Sequence, residues 1–279
     1  MGEWSKKIGE EGERIALKLM EITGWGNLEK GIDIPCVDNK VHVRAKEHGL
    51  DGLFLYKSPL KDRTLNNVCI SVKFNNDGYP SSASTRKTKF KDHLIQLNNT
   101  IECYENSEMK VEKDNLWSGV DNSDCYGVVI WLHNDRKDNS KDDLIDEFKD
   151  IRMEGDSLDY PIALIDQKRA NFIFETHKYV KEKYFDFEIS FNYQRTGNNN
   201  IDDEIVNSDE ILPWEMLNTG LIVYRAVKVS NDSDERNLLI MILEEFDSEV
   251  FKRLLGLAQT LSNNLANKIE IAFSLYSPV

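Results

Sequence analysis

Two stretches decide the fold: HGLDGLFLY at residues 48–56 and VCISVKF at residues 68–74. Both alternate apolar with small or polar side chains, which is typical of half-buried strands. A period of two places Asp51 on one face of the first strand and Lys73 on one face of the second. The connection over residues 57–67 carries Ser-Pro, Lys-Asp and Asn-Asn turn signals. These features predict a hairpin in which an acid near the start of one strand faces a lysine near the end of the other.

A helix with an acid on an apolar stripe precedes the hairpin. The spacing of apolar residues predicts this helix over residues 3–24, with a Thr-Gly signal at its end. One apolar stripe includes Leu17 and Met20, and Glu13 lies at its centre. A carboxylate in such a position is costly unless it has a partner, so Glu13 is a candidate functional acid. The alternative, which is the usual one for helix acids, is that it points to water.

A basic segment follows the hairpin. Residues 81–91 contain four cations and no acid, and a helix is predicted over residues 87–104. One interpretation is a clamp for nucleic-acid phosphates, and the other is a solvated helix start. The position directly after the strand with Lys73 favours the clamp. Its cations are Arg86, Lys87, Lys89 and Lys91.

The charge of the chain is divided unevenly. The net charge is -14, but residues 1–100 carry 16 lysines and arginines against 13 acids, while residues 101–279 carry 19 against 36. A surface that faces nucleic acid is therefore expected in the first hundred residues. The acidic remainder repels phosphate and suits a protein partner or solubility.

Composition indicates a globular protein with reduced cysteines. The 279 residues are 40% hydrophobic, and no apolar run approaches the roughly 20 residues of a membrane span. The N-terminal segment lacks the apolar core of a signal peptide, which predicts a cytoplasmic protein without membrane contact. Neither the cysteines nor the five histidines cluster along the sequence, so we expect core thiols rather than disulfides or a zinc site. The cysteines are Cys36, Cys69, Cys103 and Cys125.

Strands and helices are predicted along the rest of the chain. Residues 126–132 form a continuous apolar run that is typical of a buried central strand. Residues 107–124 are predicted to be a loop, residues 171–174 a strand, and residues 248–263 an amphipathic helix. This mixture indicates an α/β or α+β fold.

The helix and the hairpin together suggest a metal site. They would bring the carboxylates of Glu13 and Asp51 next to Lys73 and a carbonyl of the strand backbone. Magnesium needs few protein ligands because it keeps several waters. It would polarise a phosphoryl oxygen and lower the pKa of a bound water, while Lys73 would orient that water or neutralise developing charge.

This order of a helix with Glu, a strand with Asp and a strand with x-x-Lys resembles the PD-(D/E)XK, or restriction-endonuclease-like, nuclease superfamily. The opening Gly9-x-x-Gly12-Glu13 is similar to the first helix of that group, and residues 8–133 cover the shared core. The resemblance implies an α/β fold in which a mixed central sheet is flanked by helices. It implies a nuclease-like core over residues 1–155. The uneven charge predicts that residues 156–279 are an acidic α/β extension for oligomer or partner contacts.

The resemblance also implies the roles of individual residues. Glu13, Asp51 and the Val72 carbonyl would bind Mg²⁺ or Mn²⁺, and Lys73 would be the catalytic lysine. Ser71 stands where the superfamily has an acid, and its neutral hydroxyl is a poor magnesium ligand.

Three shorter segments make a narrower resemblance, to the nuclease subunit of a two-gene bacterial anti-phage defence system. They lie at residues 2–9, 33–36 and 56–60. This likeness implies a metal-dependent endonuclease that acts on nucleic acid. DNA is favoured over RNA as the substrate, but the sequence does not decide between the two. It also implies a co-encoded partner protein and a homo- or hetero-oligomer.

Two other hypotheses stay open at this point. Because of Ser71, the chain could be a catalytically weakened nuclease-fold module that binds a partner protein as a scaffold. A plain structural α/β protein would bind no nucleic acid at all.

Overall fold

The computed structural model describes residues 2–37, 42, 46–134, 143–151, 158–193, 208–230, 234–262 and 266–273, with backbone alone for residues 2–6 and 208. The chain forms two compact units. The first unit comprises Met1–Glu21, Trp25–Ser58 and Arg63–Lys168. The second unit comprises Ile22–Gly24, Pro59–Asp62 and Arg169–Val279. The division of the chain at residues 155 and 156 stays a prediction.

The first unit contains a mixed five-stranded sheet with the spatial order β1-β2-β3-β4-β5. Neighbouring strands are antiparallel from β1 to β3 and parallel from β3 to β5. The strands are β1 (Glu29–Pro35), β2 (Glu47–Lys57), β3 (Thr64–Asn75), β4 (Asn122–His133) and β5 (Ile162–Ile165).

The predicted hairpin is formed by β2 and β3. Its connection is shorter than the sequence indicates and covers residues 58–63, because both strands extend further than their apolar runs. Leu53 lies opposite Cys69, and both belong to the core on one face of the sheet. Phe54 points to the other face, where its ring stacks on Trp25 at 4.9 Å between centroids. The alternation predicted for these strands is therefore confirmed.

The longest ladder of the sheet joins β3 to β4. The two strands are parallel, and their register runs from Thr64 opposite Asn122 to Asn75 opposite His133. β4 is buried almost throughout, as the continuous apolar run at residues 126–132 predicts. β3 therefore lies inside the sheet, between the strand with Asp51 and a largely buried neighbour.

Helices cover both faces of this sheet. The helix α2 starts at residue 83 rather than 87, because the Ser82 hydroxyl accepts a hydrogen bond from the Thr85 N–H. The prediction of a loop over residues 107–124 is wrong for the segment that forms α3, which the Ser107 side chain caps by accepting from the Lys110 N–H at 3.2 Å. The helices are α1 (Gly2–Ile22), α2 (Ala83–Glu105), α3 (Glu108–Asp114) and α4 (Leu144–Phe148).

A glycine allows α1 to lie close to the end of β3. A Cβ atom on Gly12 would lie 2.9 Å from Cδ2 of Phe74 and closer still to the Cβ and Cγ of that side chain. A larger residue would therefore push α1 away from β3. The close approach fixes the position of Glu13, the next residue on the helix.

The second unit contains another mixed five-stranded sheet. Its spatial order is β10-β9-β8-β6-β7, with the β10–β9 pair parallel and the others antiparallel. Residues 171–174, predicted to be a strand, lie inside a helix, so that prediction is wrong. The elements are α5 (Gln167–Lys183), β6 (Glu188–Asn192), β7 (Ser208–Asp209), β8 (Leu221–Lys228), β9 (Glu235–Ile242), α6 (Ser248–Ser262), β10 (Lys268–Phe273) and a short 3₁₀ helix at Trp214–Met216.

The amphipathic helix predicted at residues 248–263 is confirmed as α6. Its buried side chains Leu254 and Ala258 pack in one apolar cluster with Ile240 of β9 and Val223 of β8. Sheets of mixed direction with helices on their faces give the α/β fold that the sequence predicts. No helix in the described part of the chain is long and apolar enough to cross a membrane.

Candidate active site

The candidate site is built around Asp51, near the middle of β2. Its Oδ2 accepts a hydrogen bond of 2.6 Å from the Val72 N–H of β3, and the Ser71 hydroxyl bonds to the same carboxylate. The structure therefore brings Asp51, Ser71 and Val72 together across the hairpin. Ser71 acts here as a partner of the acid and not as a second acid.

Burial makes the charge of Asp51 costly. Loss of water raises the pKa of this carboxyl above its ordinary value. The Val72 N–H, the positive charge of Lys73 and the Ser71 hydroxyl oppose this effect in that order, but the net shift stays upward. A bound cation would offset the cost of the buried negative charge on Asp51, so a metal ion would be stabilising at this site.

Glu13 of α1 shares the electrostatic environment of Asp51. Its side chain is exposed at the surface. Partial loss of water raises its pKa most, and the negative charges of Asp51 and Glu10 raise it further. Two carboxylates from two elements therefore repel each other here, as expected of ligands of one divalent cation. The assignment of Glu13, Asp51 and the Val72 carbonyl as metal ligands stays a prediction.

Lys73 lies two residues beyond Ser71 on the same face of β3. Its Nζ is 3.5 Å from Oε1 of Gln96 on α2, and its charge helps to counter the raised pKa of Asp51. The lysine is therefore held between the acid of β2 and an amide of α2. Its catalytic role stays a prediction.

The structure adds His93 and Gln96 to the residues that the sequence indicates. His93 is one helical turn before Gln96, and its ring packs edge-on against Trp131 at 5.1 Å. Burial, followed by the charges of Lys73 and Lys89, lowers its pKa to about 4, so the imidazole is neutral at physiological pH. The sequence predicts a helix here but not which side of it faces Lys73, and so carried no signal for either residue.

The basic segment does not act as one cluster. Arg86 is half-buried and forms an ion pair with Glu147 of α4, with 2.9 Å between Nε and Oε2. It also donates to the carbonyls of Pro80 and Ser81 at 2.7 and 3.0 Å. Arg86 thus holds α2, α4 and the preceding turn together.

The three lysines of this segment have different surroundings. Lys89 adds its charge to that of Lys73 at His93, so it lies on the side of α2 that faces the candidate site. Lys87 and Lys91 are one turn apart, on another side of the helix. None of the three forms an ion pair with a described residue. Their role in nucleic-acid binding stays a prediction.

A cavity of about 540 Å³ lies between elements that also supply the site. It is lined by Ile8 and Gly9 of α1, by the turn from Phe74 to Pro80, and by Lys89 of α2. A cavity of this size is adequate for part of a nucleotide chain.

A comparison with models of known protein families gave a match. A family model described as the GAPS4 protein PD-(D/E)XK nuclease domain matches residues 1–169. The matched residues include every candidate site residue described above. No individual curated protein matches the chain. The match confirms the resemblance to PD-(D/E)XK nucleases on which the sequence-based expectations rest.

Proposed function

The chain belongs to the family of GAPS4 PD-(D/E)XK nuclease domains, and from this membership we propose that it is a metal-dependent nuclease that cleaves phosphodiester bonds. We further propose DNA rather than RNA as the substrate, and a role as the effector of a multi-component anti-phage defence system in the cytoplasm. The observation that carries the proposal is the arrangement around Asp51. A carboxyl with a raised pKa is hydrogen-bonded across the hairpin and lies near a second acid and a lysine.

The donor atoms fit a hard divalent cation. Two carboxylates and a backbone carbonyl are oxygen ligands of the kind that Mg²⁺ and Mn²⁺ prefer. In this proposal Glu13, Asp51 and the Val72 carbonyl hold the ion. A bound Mg²⁺ or Mn²⁺ supplies polarisation of a phosphoryl oxygen and a bound water of lowered pKa.

The other residues act by position and charge. The Val72 N–H and the Ser71 hydroxyl hold the Asp51 carboxylate in one orientation. The ammonium group of Lys73 faces the attacked phosphate and offsets the negative charge that develops there. Gln96 accepts from Lys73 Nζ and limits where that ammonium can point.

The substrate side of the proposal rests on the lysines of α2. Lys87 and Lys89 are exposed and Lys91 is half-buried, and an ammonium without an ion-pair partner can contact a phosphate without breaking a bond. Arg86 is expected to contribute less, because its guanidinium is engaged with Glu147 and two carbonyls.

Cleavage assays test the enzymatic proposal. Linear DNA, plasmid DNA and RNA are incubated with the protein and its co-encoded partner in Mg²⁺, in Mn²⁺ and in a chelator. We expect metal-dependent cleavage of DNA that Lys73→Ala abolishes. Lys57→Ala is the matched control, because Lys57 is an exposed lysine at the end of β2. Equal cleavage by wild type and Lys73→Ala would refute the assignment.

Ser71 favours a second candidate function, a weakened nuclease fold that serves as a binding module. Its hydroxyl supports Asp51 but adds no negative charge, so the site has one acid fewer than the superfamily pattern. Ser71→Glu is expected to tighten Mg²⁺ binding in calorimetry if the pocket is a metal site. DNA binding by the wild type without cleavage under every metal, partner present, would favour the module.

The second unit is proposed as the surface for a co-encoded partner protein or for self-association. It exposes large apolar side chains, among them Phe174, Phe185 and Leu255 at 52%, 83% and 50%. The chain from residue 101 onward is strongly acidic, which suits apolar protein contacts with an acidic rim better than contact with phosphates. Phe185→Asp should weaken association in light scattering, whereas Leu116→Asp, an equally exposed change in the first unit, should not.

A further inference from the structure

Four metal-ligating side chains meet at one point in the first unit, away from Asp51. Cys36 follows β1, His42 lies in the connection to β2, His48 is in β2, and Cys103 is in α2. One donor atom from each lies within 4.8 Å of the donor atoms of the other three. The set consists of two sulfur and two nitrogen donors, which is the composition of many structural zinc sites.

The separations among three of these donor atoms match those around a tetrahedral ion. His42 Nδ1 lies 3.5 Å from the Cys36 sulfur and 3.3 Å from the Cys103 sulfur, and the two sulfurs are 3.9 Å apart. Zinc–sulfur bonds of about 2.3 Å and zinc–nitrogen bonds of about 2.0–2.1 Å at tetrahedral angles require roughly 3.5 Å between sulfur and nitrogen and roughly 3.8 Å between sulfurs. Three of the four donors are thus already spaced for a single zinc ion, and the fourth, from His48, lies within 4.8 Å of them.

We propose that Cys36, His42, His48 and Cys103 form a structural zinc site that joins β1, β2 and α2. All four coordination positions are filled by protein, so the site has no place for a substrate or a reactive water. It is therefore separate in position and in role from the oxygen-rich site at Asp51.

The groups around the four ligands support this assignment. Nε2 of His42 lies 3.2 Å from Oε2 of Glu102, and a carboxylate on the far nitrogen of a ligand histidine fixes its tautomer and leaves Nδ1 for the metal. Nε2 of His48 is buried and has no hydrogen-bond partner among the described residues.

A disulfide between Cys36 and Cys103 accounts for the cluster less well. Among the described residues the four cysteines form no disulfide, and a bond would need the two sulfurs to close from 3.9 Å to about 2.05 Å. A disulfide would also not explain why two histidines lie next to the two cysteines. Cys69 and Cys125, in contrast, are buried thiols outside the cluster, as the sequence predicts for core cysteines.

The expectation that no zinc site exists followed from spacing along the chain. His42 lies six residues after Cys36, and His48 lies six residues after His42. This spacing does not contain the close Cys-Cys pair of common zinc motifs. The fourth ligand, Cys103, comes from α2 and is brought near by tertiary packing. His48 is three residues before Asp51 on β2, so an ion here would fix the strand that carries the central acid.

Metal analysis of the full-length protein, purified without chelator under reducing conditions, tests the proposal. We expect about one zinc per chain, and after exchange to Co²⁺ the intense visible bands of tetrahedral cobalt with a thiolate charge-transfer band. Cys103→Ser and His48→Gln should lose the zinc and the cobalt bands. Cys125→Ala, a buried thiol outside the cluster, and Asp51→Ala, at the nuclease site, should keep both.

Two results would overturn the proposal. One is a wild-type protein that holds no zinc and gives no cobalt bands after reconstitution. This measurement does not depend on whether any variant folds. The other is zinc that is lost in Asp51→Ala and kept in Cys103→Ser, since the metal would then occupy the nuclease site.

Discussion

Replacing Gly12 with alanine tests how closely α1 approaches β3. In an isolated helix, Gly→Ala stabilises by about 0.8–1.0 kcal/mol. In this protein the new methyl group would overlap the Phe74 side chain, with Cδ2 at 2.9 Å and two further atoms closer. Overpacking of this kind costs about 1–3 kcal/mol. We therefore expect net destabilisation, opposite in sign to the effect of helix propensity.

The same helix provides the control. Nothing lies within 4 Å of a Cβ placed on Gly9, so Gly9→Ala should stabilise the protein by about 0.5–1 kcal/mol. With roughly 2–4 °C of Tm per kcal/mol for a chain of this size, Gly12→Ala should lower Tm by several degrees and Gly9→Ala should raise it slightly. Thermal unfolding followed by circular dichroism measures both.

The two variants also separate stability from function. Gly12→Ala should shift α1 and the adjacent Glu13, so metal affinity and cleavage should fall in folded protein at low temperature. Gly9→Ala should leave metal affinity unchanged. If Gly12→Ala were as stable as Gly9→Ala, the close contact between α1 and β3 would be wrong.

Further predictions concern charge. Asp51→Asn should abolish cleavage but raise Tm at neutral pH in metal-free protein, because burial raises the pKa of Asp51; a lower Tm would make this acid structural. The stability from protonated Asp51 is present below its unfolded pKa and is lost as pH rises through the higher folded pKa, so this part of the pH dependence should vanish in Asp51→Asn. Because the pKa of Asp51 is raised, its protonation should compete with Mg²⁺ earlier as the pH is lowered. In calorimetry, the Mg²⁺ affinity of the wild type should therefore begin to fall at a higher pH than it would with an ordinary carboxylate. Changing Lys87, Lys89 and Lys91 to Gln should reduce the slope of log affinity against log salt by about 0.9 per lost duplex-DNA phosphate contact, whereas Arg86→Gln should chiefly lower Tm by breaking a half-buried ion pair; an unchanged slope in the triple variant would remove α2 from the interface.

Local patterns in the sequence were sufficient for the central hairpin. Alternation in β2 and β3 determines which side chains share a face, and a one-residue slip would expose the apolar set, so register follows from sequence. This is why Asp51, Ser71 and Lys73 could be placed together in advance. The start of α3 also had a local signal, the capping serine Ser107, which the polar character of the segment obscured.

Contacts between distant elements could not be predicted in the same way. Which side of α2 faces the sheet depends on packing, so the neighbours of Lys73 on that helix were not foreseen. The ion pair of Arg86 with Glu147 has no signal in the sequence, because the two residues are far apart along the chain. The segment at residues 171–174 is apolar and short, and periodicity does not distinguish a strand from a buried helical turn at that length.

The long parallel ladder between β3 and β4 has a consequence for synthesis of the protein. β3 ends at Asn75, but its partner strand is complete only at His133. During translation, one edge of β3 therefore stays unpaired while almost sixty further residues are synthesised. An open edge can pair with another chain, and distant parallel pairing forms late in folding. We expect translational pauses between these two strands to promote aggregation of nascent chains more than pauses after β5, when β4 is also paired on its other edge.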